Sequence, residues 1–98
     1  MAHKRTYKIQ TASLAMEVDS TNLINDSCVA IQNTYVSEGK ILAQGVTYDE
    51  TDPNIMNAWV TFDTEANCIA YYDALTAASN VETDKVGLTI IDETNETV

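Results

Sequence analysis

The stretch Cys28–Asp63 constrains this chain most, because its apolar residues alternate over two consecutive runs on either side of a glycine. A turn at Glu38-Gly39 that sets Ser37 opposite Lys40 brings Tyr35 against Leu42, Asn33 against Gln44, Ile31 against Val46 and Val29 against Tyr48. Side chains alternate along a strand, so these pairs share one face, and three of the four are apolar on both sides. A slip of one residue scrambles the match, so the register is specified. Asn57–Asp63 reads as a third strand, with Val60 and Phe62 continuing the same face.

The flanking segments extend this into a sheet with one helix. Arg5–Thr11 alternates with Tyr7 and Ile9 on one side and reads as a strand. Leu14, Met16 and Val18 alternate in the opposite parity, which requires a bulge or turn between Gln10 and Ser13. Asp19–Ser27 is rich in turn and cap formers and reads as a loop, and Asp49–Asn54, with Pro53, closes a second hairpin. Thr64–Ser79 is predicted as a helix, capped by Asp63 or Thr64 and stopped at Asn80. Its inner face is read as Ile69, Tyr72, Leu75 and Thr76 with Cys68, and the Ala66, Ala70, Ala74, Ala77 ridge as plain helix propensity. Lys85–Asp92 is predicted as a last strand, and Glu93–Val98 as a frayed polar tail. The fold class is therefore α+β, a single domain over residues 1–92: an antiparallel or mixed sheet of four to six strands with helix 64–79 packed on one face.

A rival reading concerns the first half of that hairpin. Ile24, Cys28, Ile31 and Tyr35 are spaced 4, 3, 4, which is a helical stripe. With Ser20–Ser37 helical, the element order becomes βαββαβ, the ferredoxin-like order. The strand preferences of Val29, Ile31, Thr34, Tyr35 and Val36, and the aptness of Gly39 for a hairpin turn, favour the hairpin instead.

The formal charge of −10 excludes some partners. Such a surface repels phosphate backbones and anionic lipid, which argues against direct nucleic-acid or membrane binding. No apolar run approaches the roughly 18 residues a membrane helix needs, and MAHKRTYKIQ has no apolar core of a signal peptide behind it. The expectation is a cytoplasmic protein, and two reduced thiols, Cys28 and Cys68, agree with it.

No motif for chemistry stands out. His3 is the sole histidine and lies near the terminus, with no second base for a nucleophile. Cys68 falls in the first turn of a helix but on its inner face, which favours an inert thiol. Asp49, Glu50 and Asp52 crowd one loop that could hold a weak cation or a partner, yet the loop lacks EF-hand spacing and reads as solvated. Gly39, Gly45 and Gly87 form no phosphate loop. Neither a metal site nor a cofactor motif is read, and the chain is expected not to be an enzyme.

The face opposite the core carries Val36, Ile41, Ala43 and Trp59, too apolar for a solvated sheet face. Either Leu14–Val18 covers it or another protein does, most simply a second copy with Trp59 as anchor. The function expected from sequence is a non-enzymatic interaction or assembly module that self-associates through this face. The alternative is an acidic imitator of nucleic acid that occupies a basic surface on a partner protein.

Overall fold

The computed structural model describes residues 1–11, 26–78 and 88–98. In chain order its elements are β1 (His3–Thr11), α1 (Asp26–Ser37), β2 (Ile41–Tyr48), β3 (Ile55–Phe62), α2 (Glu65–Ala78) and β4 (Leu88–Thr97). A four-stranded sheet runs in the order β2-β3-β1-β4, with every neighbouring pair antiparallel. β3 and β4 both oppose β1, so they are parallel to each other with β1 between them, and β1 and β2 stand in the same relation across β3. This is the ferredoxin-like βαββαβ arrangement, with both helices on one side of the sheet.

The hairpin expected at Glu38-Gly39 does not form. Residues 26–37 are helix α1, and the described part of the stripe decides: Cys28 is buried, and Ile31 and Tyr35 pack on the core, while Ser20–Ile24 lies outside the described residues. Burial of that stripe outweighs the strand preferences of Val29, Thr34 and Val36, since propensity yields to tertiary packing. Gly39 does take a positive φ of 76°, but to end a helix. The Lys40 N–H donates to the Tyr35 carbonyl at 2.9 Å and the Gly39 N–H to that of Val36 at 3.1 Å, a Schellman stop. β2 starts directly after it.

The core lies between the sheet and the helices. Ile41, Phe62, Cys68 and Tyr71 form its centre, with Ile31, Tyr35, Val60, Tyr72 and Leu75 around them, while Ile9 and Met56 form a second cluster. Thr64 caps α2, its Oγ1 accepting from the Asn67 N–H at 3.2 Å. The inner face of α2 runs through Cys68, Tyr71, Tyr72 and Leu75, whereas Ile69, expected inside, is exposed. The helix is turned so that the adjacent tyrosines cover Phe62.

Two further expectations change. Ile41 faces the core because the β2–β3 ladder shifts between Ile41 and Ala43: Ile41 pairs with Phe62 and Ala43 with Thr61. Residues 93–97, expected as a frayed tail, belong to β4 and pair with β1 from Tyr7↔Glu93 to His3↔Thr97. Opposite charges face each other along this ladder, Lys4 against Glu96 and Lys8 against Asp92, which favours the pairing. Leu14–Val18, the proposed cover of the second sheet face, lies outside the described residues. Among the described residues no helix is long and apolar enough to cross a membrane.

The sheet face away from the helices carries Trp59, paired with Thr6 on one side and Gly45 on the other. The indole lies flat against Gly45: a Cβ built there would come within 2.8 Å of Trp59 Cζ2. Gly45→Ala therefore lifts the ring. A destabilisation of about 1–3 kcal/mol in urea unfolding, with a red shift of tryptophan fluorescence, is expected.

Candidate functional site

Polar residues gather where the helix-facing side of β1 and β4 meets α2. β1 alternates, so His3, Arg5 and Tyr7 point toward the helices, and the antiparallel register sets Asn95 opposite Arg5 and Glu93 opposite Tyr7. α2 adds Tyr72 from its inner face.

Arg5 is the centre. Its Nε donates to Asn95 Oδ1 at 2.8 Å and its Nη1 to the Tyr7 hydroxyl at 3.3 Å. The guanidinium lies 4.9 Å from the centroid of the Tyr72 ring, a cation–π distance, and Tyr7 meets Tyr72 edge to face at 5.1 Å. Glu93 Oε2 stands 3.9 Å from Arg5 Nε and accepts from Asn95 Nδ2 at 2.8 Å. The Arg5 side chain is only 15% exposed, whereas that of Glu93 is 43% exposed and opens the cluster to solvent. His3, far from being a loose end, is buried and places Nε2 3.0 Å from Asn95 Oδ1.

The electrostatics follow from these contacts. Burial works against the Arg5 charge, but the Tyr7 hydrogen bond and the surrounding groups hold its pKa above the ordinary value. The hydrogen bond from Asn95 holds the Glu93 carboxyl below its ordinary value, and the Arg5 charge adds to this. Burial raises Tyr7, against the pull of Arg5, and raises the Cys68 thiol. The cluster thus presents a fixed cation on aromatic rings, an ionised carboxylate beside it, and neutral phenols. Such a set can hold an oxygen-bearing small molecule by charge and hydrogen bonds.

The residues singled out from sequence lie elsewhere. Trp59 and Ala43 share the open sheet face, Ile41 is in the core, and Val36 sits exposed on α1. The four are not brought together. In the acidic loop, Asp49 Oδ1 accepts from the N–H groups of Thr51 and Asp52 and from the Thr51 hydroxyl, which holds its pKa down at about 2, and Asp52 Oδ1 accepts from the Asn54 N–H. These two carboxylates are committed to shaping the turn. No group of three or more His, Cys, Asp or Glu among the described residues is arranged to hold a metal ion.

Sequence reasoning missed Arg5, Tyr7, Tyr72, Glu93 and Asn95. The signal that could have found them is the polar alternation His3, Arg5, Tyr7 at one end of the chain and Glu93, Asn95 at the other.

No family model matches the chain, and no curated protein matches it. Solved structures do. A dimeric ferredoxin-like protein from an uncultured marine organism superposes with a TM-score of 0.65 at 9% identity, over 97% of this chain and 84% of that one. A candidate antibiotic biosynthesis monooxygenase from Chloroflexus aurantiacus matches at 0.57 and 13% identity, over 100% of this chain and 93% of its own. Another, from Bordetella bronchiseptica, matches at 0.50 and 7% identity, over 99% and 96%. At such identities the likeness shows the fold.

It also corrects the functional expectation. A non-enzymatic assembly module, not an enzyme, was expected because no catalytic motif stood out; the fold turns out to be one shared with proteins named as candidate antibiotic biosynthesis monooxygenases. The alternative, imitation of nucleic acid, is read from charge alone; in the structure Asp49 and Asp52 each give one carboxylate oxygen to the shape of their own loop.

Burial of the aromatic layer sets the alkaline limit of the fold. Tyr71 is pushed up from 10.0 to about 12, chiefly by burial, and burial drives Tyr72 in the same direction. A raised phenol pKa means that the folded state favours the neutral ring. That contribution is complete below pH 10.0 and is lost as pH rises through about 12. Urea unfolding measured across this window should show stability falling, and Tyr71→Phe should flatten the fall.

Proposed function

We propose that this chain is an enzyme of the antibiotic biosynthesis monooxygenase type, which holds a small organic molecule against Arg5 between the sheet and α2. The observation that carries the reading is the largely buried Arg5 guanidinium, stacked on Tyr72 and fixed by Asn95 and Tyr7. Burying a charge is expensive unless it is paired, and Arg5 is held in place by Asn95, Tyr7, Glu93 and the Tyr72 ring. The names of similarly folded proteins supply the reaction class. With no added reductant, such a reaction balances when the substrate supplies all the electrons: a CH2 between two carbonyls, or a phenol ring C–H, becomes C=O, one atom of dioxygen becomes that carbonyl oxygen, and the other leaves as water with the two hydrogens lost. Here Arg5 would hold the substrate oxygen as its phenolate or enolate, which eases loss of the proton to solvent, and the Glu93 carboxylate, held ionised, would orient the substrate by accepting a hydrogen bond.

Phenols and 1,3-dicarbonyl compounds have such an oxygen and such a proton. The test is a panel of both, followed by calorimetry for binding and an oxygen electrode for uptake. Binding of at least one compound with oxygen consumption is expected. Arg5→Gln should weaken that binding roughly tenfold to a hundredfold, the worth of a charged hydrogen bond, without loss of helix signal in circular dichroism. Binding untouched by Arg5→Gln would overturn this reading.

The enzyme is further proposed to work as a homodimer joined through the open sheet face, with Trp59 and Ala43 in the interface. The half-buried indole on Gly45, with Lys4 Nζ 4.9 Å from its ring centroid, offers a flat anchor. The marine protein of the same fold is described as dimeric. Light scattering should give twice the chain mass, and Trp59→Glu should give the single mass with the fold retained.

A further inference from the structure

Arg5 and Glu93 are close enough to collapse into a closed salt bridge, and they have not done so. An arginine facing a carboxylate ordinarily closes to N···O distances of about 2.7–2.9 Å, often with two parallel bonds. Here Arg5 Nε and Glu93 Oε2 stand 3.9 Å apart. The same two atoms are each bonded to the side-chain amide of Asn95, Nε to its Oδ1 at 2.8 Å and Oε2 to its Nδ2 at 2.8 Å. The amide spans the gap between cation and anion.

Its orientation is fixed by chemistry. A guanidinium can only donate and an ionised carboxylate can only accept, so a flipped amide would lose both bonds. Oδ1 therefore faces Arg5, and it also faces His3 Nε2 at 3.0 Å, so His3 must present Nε2–H. Asn95 thus ties cation, carboxylate and buried imidazole together, with the Tyr7 hydroxyl as a second contact shared by Arg5 and Glu93.

We infer that Asn95 is a positioning residue, a spacer that keeps Arg5 and Glu93 from closing into direct contact and so keeps both accessible to a ligand. The inference rests on the function proposed above for its purpose, though not for its geometry. Without the spacer, Glu93 closes on Arg5 and the cation is masked although every charge is still present.

The experiment uses benzoate as the probe anion, followed through the Arg5 Nε–H signal in nitrogen-15 NMR, alongside crystal structures of the variants. In Asn95→Ala the Arg5–Glu93 distance should shorten to direct contact, and the benzoate-induced shift should fall at least severalfold. Adding Glu93→Gln to that variant unmasks Arg5 and should restore the shift, a recovery that mere structural damage would not give. Asn95→Asp is a second variant of the same shape. It keeps the acceptor toward Arg5 and His3 but sets a carboxylate against Glu93, so the Glu93 titration, read by carbon-13 NMR, should move to higher pH. An Arg5–Glu93 pair still open in Asn95→Ala, or a Glu93 titration unmoved in Asn95→Asp, would overturn the inference. Neither readout depends on oxygen uptake, so a spacer confirmed in a protein that consumes no oxygen would count against the monooxygenase reading alone.

Discussion

Phe62 is wholly buried, and it ties three parts of the molecule together. In the sheet it pairs with His3 of β1 on one side and Ile41 of β2 on the other. Across the layer, the rings of Tyr71 and Tyr72 stand over it at 5.3 and 5.9 Å. Removing such a ring from water contributes about 1.5–3 kcal/mol, but its positional effect reaches further. Tyr72 is held against Phe62 on one side and against Tyr7 and Arg5 on the other. The cation of the site is therefore located by a hydrophobic contact one residue layer away.

β1 is shared between two surfaces. Its odd-numbered residues, His3, Arg5 and Tyr7, furnish the polar cluster beneath α2, while Lys4, Thr6 and Lys8 face the open side near Trp59. A strand pleat separates them by a single residue, so a shift of β1 along its neighbours would disturb both at once. The flanking ladders resist such a shift, with β3 and β4 each paired to β1 along nearly its whole length.

Much of the fold was legible in the sequence. The second hairpin, the helix after Phe62 and the described part of the strand expected at Lys85–Asp92, from Leu88 on, follow from alternation, capping and turn chemistry. The class α+β came from these, and the ferredoxin-like order was present as the alternative. The error over residues 26–37 has a clear physical source: a β-rich composition and a helical stripe coexist there, and only the buried partners of Cys28, Ile31 and Tyr35 decide between them. The site was hidden for a different reason. Arg5 and Asn95 are 90 positions apart, and nothing in either neighbourhood marks it as the other's partner. Polar residues on an edge strand look like solvent-facing tail until the strand that receives them is known.

The chain order of the strands has a consequence for biosynthesis. β1, the first of the described elements in chain order, is an inner strand, and one of its two neighbours is β4, the last of them. During translation the nascent chain can assemble β1, β2 and β3 with both helices while one edge of β1 still lacks its ladder. Contacts of such sequence separation form late, because loop closure must precede them. Arg5 would then meet Glu93 and Asn95 only after β4 has left the ribosome, so the polar cluster is completed by the same event that gives β1 its second neighbour.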